Sequence, residues 1–285
     1  MARSAGTVAR SREPTSRPRS GDLTAPGVAP SVPVVSLKTV SRIEPAEEVL
    51  VASRRWLSPM RAAIDRDFVA AYLTGSVLTQ GFDPTRSEVN VLLVGRDLDV
   101  DTLDAAARVL PDSKQRPRFA PLFMTERQIQ KSLDSFPIEW TEIHERHLLI
   151  EGQDVLGNLQ VPRTYLRLQC EHELRAKLIL LRQSYVLSGA RPDRLEAVLR
   201  SSASGFATLF RTLLRLAGET PPADSAQVIE RVAAVHRVQA EGLLGAYLVR
   251  ADQRRYRGHE MLAIYRKFLI EIERLVSAID SMSLS

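Results

Sequence analysis

Gly75 and Ser76 close an apolar run, and after eleven intervening residues Glu88-Val89-Asn90 opens another. Each residue type here has a chemical use. A glycine lets the backbone come close to a phosphate, and a serine adds a hydroxyl donor for a phosphate oxygen. Glu88 and Asn90 stand at i and i+2, so on a strand they share one face. Their carboxylate and amide oxygens are the hard ligands that magnesium takes. Further along, Phe136-Pro137-Ile138-Glu139-Trp140-Thr141-Glu142-Ile143 carries two more carboxylates at alternating distance from a tryptophan.

The elements that must position these groups follow from the hydrophobic pattern. Pro45, Glu47 and Glu48 begin a helix, with apolar residues recurring at Val49, Leu50, Trp56 and Leu57. Phe68 to Leu73 reads as a buried strand ending at Gly75–Ser76. A polar turn with Gly81 and Pro84 follows, and Val89 to Val94 reads as a second strand. Asp101 to Leu110 predicts a helix with an acidic start, Phe119 to Met124 a third strand, and Thr125 to Leu133 a helix begun by Thr125-Glu126. Phe136 to Ile143 and Leu148 to Ile150 read as further strands. From about Pro162 to Ile279 the pattern is helical, broken at Gly189 to Pro192, at Gly218 to Pro222 and near Gly258. Leu174, Leu178, Leu181 and Tyr185 form an apolar stripe on the first of these helices, and four or five helices with short connections predict a bundle. The fold class is therefore α/β (α+β) with a mixed sheet, followed by an all-α helical bundle. The organisation is a tail over 1–38, an α/β domain over 39–155 and a helical domain over 160–285.

Composition limits what such a chain can do. Its 285 residues are 44% hydrophobic and 26% charged, an ordinary globular balance. No uncharged apolar stretch reaches the length of a membrane span. The net charge of +5 is unevenly placed. Residues 1–38 hold six basic and two acidic groups, which leaves 33 against 32 in the rest, so a nucleic-acid-binding core is not indicated. The Arg-, Ser- and Pro-rich tail has too little apolar surface to offset its ordering entropy and reads as disordered. Cys170 is the single cysteine, which excludes an intrachain disulfide and fits a reducing, cytoplasmic setting.

The stretch from Ala70 to Val94, strand, Gly75–Ser76, gap, then Glu88-Val89-Asn90, resembles the signature of the nucleotidyltransferase superfamily, the fold of DNA polymerase beta and the kanamycin nucleotidyltransferases. The resemblance implies transfer of a nucleoside monophosphate from a nucleoside triphosphate to a hydroxyl acceptor, on magnesium ions that clamp the attacking and leaving oxygens. It implies Gly75 and Ser76 as nucleotide-binding residues and a ligand set of Glu88, Asn90 and a carboxylate from a later strand as catalytic metal ligands. Alternation of 136–143 presents Glu139 in one register and Glu142 in the other; Trp140 is costly to expose, which favours Glu139. Arg175 and Arg182, seven apart on the first bundle helix, are candidate triphosphate contacts in this architecture. The family's pattern has aspartates where this chain has Glu88 and Asn90. A longer carboxylate and a neutral amide weaken a two-metal site, so the alternative is a catalytically degenerate member that binds or regulates, with a protein partner or a second copy engaged through the helical domain.

Other motifs carry less. Arg231 and His236 stand five apart, but so do Arg167 with His172 and Arg254 with His259, as an arginine-rich chain will produce by chance. His144 and His147 have the i, i+3 spacing of helix-borne metal ligands, though a solvated edge explains them as well. Cys170 reads as a small helix-packing residue.

Overall fold

The computed structural model describes residues 43–79, 82–110, 117–202, 204–252 and 254–282. The tail over 1–38 and Gly81 of the polar turn lie outside them. Helix α1 (Glu47–Ile64) starts two residues after Pro45 with Glu47 and Glu48 in its first turn, and buries Val49, Trp56, Leu57, Met60 and Ile64. Strands β1 (Phe68–Thr74), β2 (Glu88–Gly95), β3 (Arg118–Thr125) and β4 (His147–Gly152) form one mixed sheet in the order β3-β2-β1-β4. β1 runs antiparallel to β2 and β4, whereas β2 and β3 are parallel. A parallel pair needs a crossover, and α2 (Val100–Val109) supplies it, begun by Asp99, whose side chain accepts from the Thr102 N–H at 2.8 Å. Helix α3 (Glu126–Lys131) begins with a reciprocal cap in which the Thr125 hydroxyl and the Gln128 amide each accept the other's backbone N–H.

Both faces of the sheet are covered. On one, α1 and Ala106 of α2 pack over Ala71, Leu73, Val89, Val91 and Leu93. On the other, Ile129, Trp140, Leu156 and Leu159 cover Ala70, Tyr72, Leu92 and Val94. The pattern switches only at the open end of β2, where Glu88 and Asn90 are exposed on the second face and Val89 is buried on the first.

The segment 136–143 is a helix and not a strand. Helix α4 (Pro137–Glu145) has proline at its first position, where the missing N–H costs nothing. Its two sides are both buried: Ile138 joins the core of the helical half, and Trp140 joins the core beneath the sheet. Over eight residues, burial on two sides mimics the alternation of a strand, which is why the period misleads.

Among the described residues, six helices make up the second half: α5 (Arg163–Leu187), α6 (Pro192–Ser202), α7 (Ser204–Leu216), α8 (Ser225–His236), α9 (Glu241–Arg250) and α10 (His259–Asp280). The breaks at 189–192, 218–222 and 258 fall as the sequence predicts, but there are more helices than four or five. The break after α8 has neither glycine nor proline. It is made by Arg237, which adopts a left-handed conformation at φ 54° and caps α8. The halves meet at α4 and α7, where the Arg215 guanidinium donates to both Glu145 carboxylate oxygens at 2.7 and 2.6 Å, with both side chains almost fully buried.

Candidate functional site

The turn after β1 is built around a glycine that no other residue replaces cheaply. Gly75 has φ +77°, and a Cβ there would lie 2.9 Å from the Asn90 side-chain nitrogen. Strand pairing explains the closeness, because Thr74 is the register partner of Asn90. Ser76 follows on an exposed turn, and its hydroxyl has no partner among the described residues, while its carbonyl accepts from both the Thr79 N–H and the Thr79 hydroxyl. The parallel partner β3 places Ala120 beside Asn90 and Arg118 beside Glu88. The row across the three strands is thus Thr74, Asn90, Ala120, and the outer row holds Glu88 with Arg118 at 3.9 Å. One carboxylate stands on this end of the sheet, next to a guanidinium.

This end opens into a cavity of about 1150 Å³, lined by Thr74, Gly75, Ser76 and Asn90 on the sheet side and by α4, α7 and the start of α8 on the other. Glu139 lines it from the first turn of α4. It is exposed and receives the Gln169 side-chain N–H at 3.1 Å. Glu142 lies one turn on, 4.0 Å from Arg146. Across from them stand Arg211 and Arg215 on α7, four apart and so on one helix face. Arg215 is committed to Glu145, but its Nη1 is buried without a hydrogen-bond partner. Arg211 has no carboxylate within ion-pair distance among the described residues. Its donors reach only the Ala207 and Ala223 carbonyls and the Ser225 hydroxyl, at 3.3 to 3.5 Å. Burial, and then the charge of Arg146, pull its pKa below the ordinary arginine value. The N-terminus of α8, capped by Asp224, also opens on the cavity. The acidic side of the cleft is therefore α4 and the cationic side is α7.

Gly75, Ser76, Asn90 and Glu139 share this cavity, although Glu139 comes from a helix where a strand was expected. Glu88 stands at the rim and is not part of the lining. Arg175 and Arg182 lie elsewhere: Arg175 pairs with Glu171 at 2.9 Å and Asp280 at 2.8 Å, and Arg182 with Glu273 at 2.6 Å, all between α5 and α10 or within α5. His144 and His147 end up on different elements, each with Nδ1 against backbone carbonyl oxygens. Among the described residues no cluster of three His, Cys, Asp or Glu is arranged to hold a metal ion. Arg231 binds Glu219, and His236 is half-buried, which lowers its pKa. Cys170 is buried in the helical core, which pushes its thiol pKa up. No helix among the described residues is long and apolar enough to cross a membrane. The sequence reading missed Arg146, Arg211 and Arg215.

Comparison with protein families and with curated proteins finds no match. Among solved structures, the chain is similar to a spectinomycin adenyltransferase from Enterococcus faecialis, crystallised with ATP and spectinomycin. The two share 13% identity over 83% of this chain and 100% of that one, at a TM-score of 0.49.

Proposed function

We propose that the cleft binds a nucleoside triphosphate, with its phosphates between the Gly75–Ser76 turn and Arg211, and that its cations are arginines and not a pair of magnesium ions. The observation that carries this reading is Arg211, a half-buried guanidinium with no carboxylate within ion-pair distance among the described residues, lining the same cavity as a glycine turn and a free serine hydroxyl. A half-buried guanidinium that no carboxylate binds directly keeps donors free, and a phosphate is a ligand that takes them up.

Transfer on magnesium requires carboxylates converging on one point, and the residues present do not fit it. Asn90 brings no charge, its neighbour on β3 is Ala120, and Glu88 is held near Arg118. Glu139 approaches from another direction and is hydrogen-bonded to Gln169. These features support a binding protein on a nucleotidyltransferase-like framework over an active transferase.

Titration calorimetry with a non-hydrolysable ATP analogue, with magnesium or with EDTA, separates the two. The binding reading expects affinity without magnesium, weakened about 10- to 100-fold by Arg211→Ala, the loss of a charged hydrogen bond, and little changed by Glu88→Ala. Binding that needs magnesium and disappears in Glu88→Ala supports the transferase instead.

A further inference from the structure

A second, smaller cavity lies inside the helical half, between α7, α8, α9 and α10, with a volume of about 50 Å³. Its walls are apolar: Phe206, Val228, Leu243 and Phe268 line it, and all four are buried. Phe206 stacks on Phe210 at 5.7 Å and meets Phe268 edge-on at 5.3 Å, so the rings brace one another around the gap. One water needs ~10–15 Å³, so the cavity has room for about three to five groups of water or methylene size. Two cations share these walls. Arg211 and Arg250 both line the cavity, and neither has a carboxylate within ion-pair distance among the described residues. Arg250 is exposed at the end of α9, whereas Arg211 is half-buried and reaches the Ser225 hydroxyl at 3.4 Å.

We infer that this cavity binds a short-chain aliphatic carboxylate, its chain among the phenylalanines and its head on Arg211 and Arg250. The chemistry of the walls selects this class. Apolar side chains reward a methylene chain and offer no partner to a sugar hydroxyl or a base edge. The guanidiniums disfavour a cation, and their paired N–H groups match the two oxygens of a carboxylate. Volume sets the length, since about three to five carbon atoms fill the space and a longer chain has to displace a ring. Arg211, Ser225 and Tyr247 line both this cavity and the larger cleft. An acid bound here therefore takes the guanidinium that the nucleotide phosphates would use. That consequence, unlike the binding itself, rests on the nucleotide reading.

Titration calorimetry of the full chain with acetate, pentanoate and octanoate, at constant ionic strength and without nucleotide, tests the inference. Pentanoate is expected to bind with a Kd on the order of 1 mM. It should bind roughly tenfold or more tighter than acetate, because its added methylenes leave water, and tighter than octanoate, which outgrows the cavity. Arg250→Ala, at an exposed position where folding is not at stake, should weaken pentanoate about fivefold. Equal binding of acetate and pentanoate, an affinity that keeps rising to octanoate, or no change in Arg250→Ala overturns the inference. So does tighter binding of butyl phosphate than of pentanoate, which assigns the cavity to a phosphate ester. Repeating the titrations with a non-hydrolysable ATP analogue separates this inference from the nucleotide reading. Pentanoate is expected to lower the analogue's affinity, whereas pentanoate binding that leaves the analogue unaffected overturns only the placing of the phosphates at Arg211.

Discussion

Gly75 shows how much of the site depends on single atoms. Its φ of +77° is a conformation that costs an L-residue roughly 1–2 kcal/mol. A methyl group there also meets the Asn90 amide at 2.9 Å. Gly75→Ala is therefore expected to cost about 1–3 kcal/mol in urea unfolding. Adding Asn90→Ala removes the contact but not the backbone strain, so the double variant recovers part of the loss. Full recovery means the contact alone matters, and a neutral Gly75→Ala means the turn does not hold this shape. That Gly75, Ser76 and Asn90 lie together was readable from the sequence because a strand end, a glycine and a second strand leave few geometries open. Arg211 was not, since one arginine among many has no distinguishing spacing. The available signal was Phe206-Ala-Thr-Leu-Phe-Arg-Thr-Leu-Leu-Arg-Leu216, in which Arg211 and Arg215 share a face of an otherwise apolar helix. Cations so placed must find a counterion or line a cavity.

At the scale of elements, α1, α2 and α3 were legible because a proline, an acidic first turn or a cap declared their starts. A helix was illegible where two buried sides imitated alternation, as in α4. Trp140 is nonetheless buried and Glu139 open, because both periods place adjacent residues on different sides. Capping from a distance leaves no local trace at all. Glu271 of α10 is buried, and its two oxygens accept the N–H groups of Gly242 and Leu243 at 3.1 and 2.8 Å, closing the start of α9 from another helix. Gly242 permits the approach, since a Cβ would overlap the Phe268 backbone. Burial raises the Glu271 pKa above 4.5 despite those donors. A raised folded-state pKa means the group contributes most below its unfolded value, and that contribution falls as pH rises through the folded one. Glutamine keeps one acceptor and no charge, so the stability of the wild type relative to Glu271→Gln should decline across that window and then level off. Denaturation midpoints from pH 4 upward measure it. A wild type that gains on the variant with rising pH shows that the two N–H bonds outweigh burial.

The sheet half and the helical half are joined through α4, which gives Ile138 to the helical core and Trp140 to the sheet core, and through the Glu145–Arg215 pair beside them. Sharing one short helix between two cores couples their unfolding. The sequence could suggest two domains from the change of pattern, but not this coupling, because Ile138 and Arg215 lie far apart in the chain and neither has a recognisable motif. The chain supplies its own probes: both tryptophans, Trp56 and Trp140, lie on α1 and α4, whereas most helical residues lie in α5 to α10. Tryptophan fluorescence therefore reports the sheet half and far-ultraviolet circular dichroism chiefly the helical half. The two signals should change together in urea for the wild type. Arg215→Ala leaves the buried Glu145 carboxylate unpaired and is expected to cost about 3–5 kcal/mol and to separate the two curves. Replacing both partners by leucine removes the stranded charge, so Glu145→Leu/Arg215→Leu should regain most of that stability, and with it the coincidence of the curves. If the double variant recovers stability while the curves stay apart, directed hydrogen bonds couple the halves. If the wild-type curves already diverge, α4 is a tether between independent units, and the cleft they share has no fixed width on which to hold a phosphate between Ser76 and Arg211.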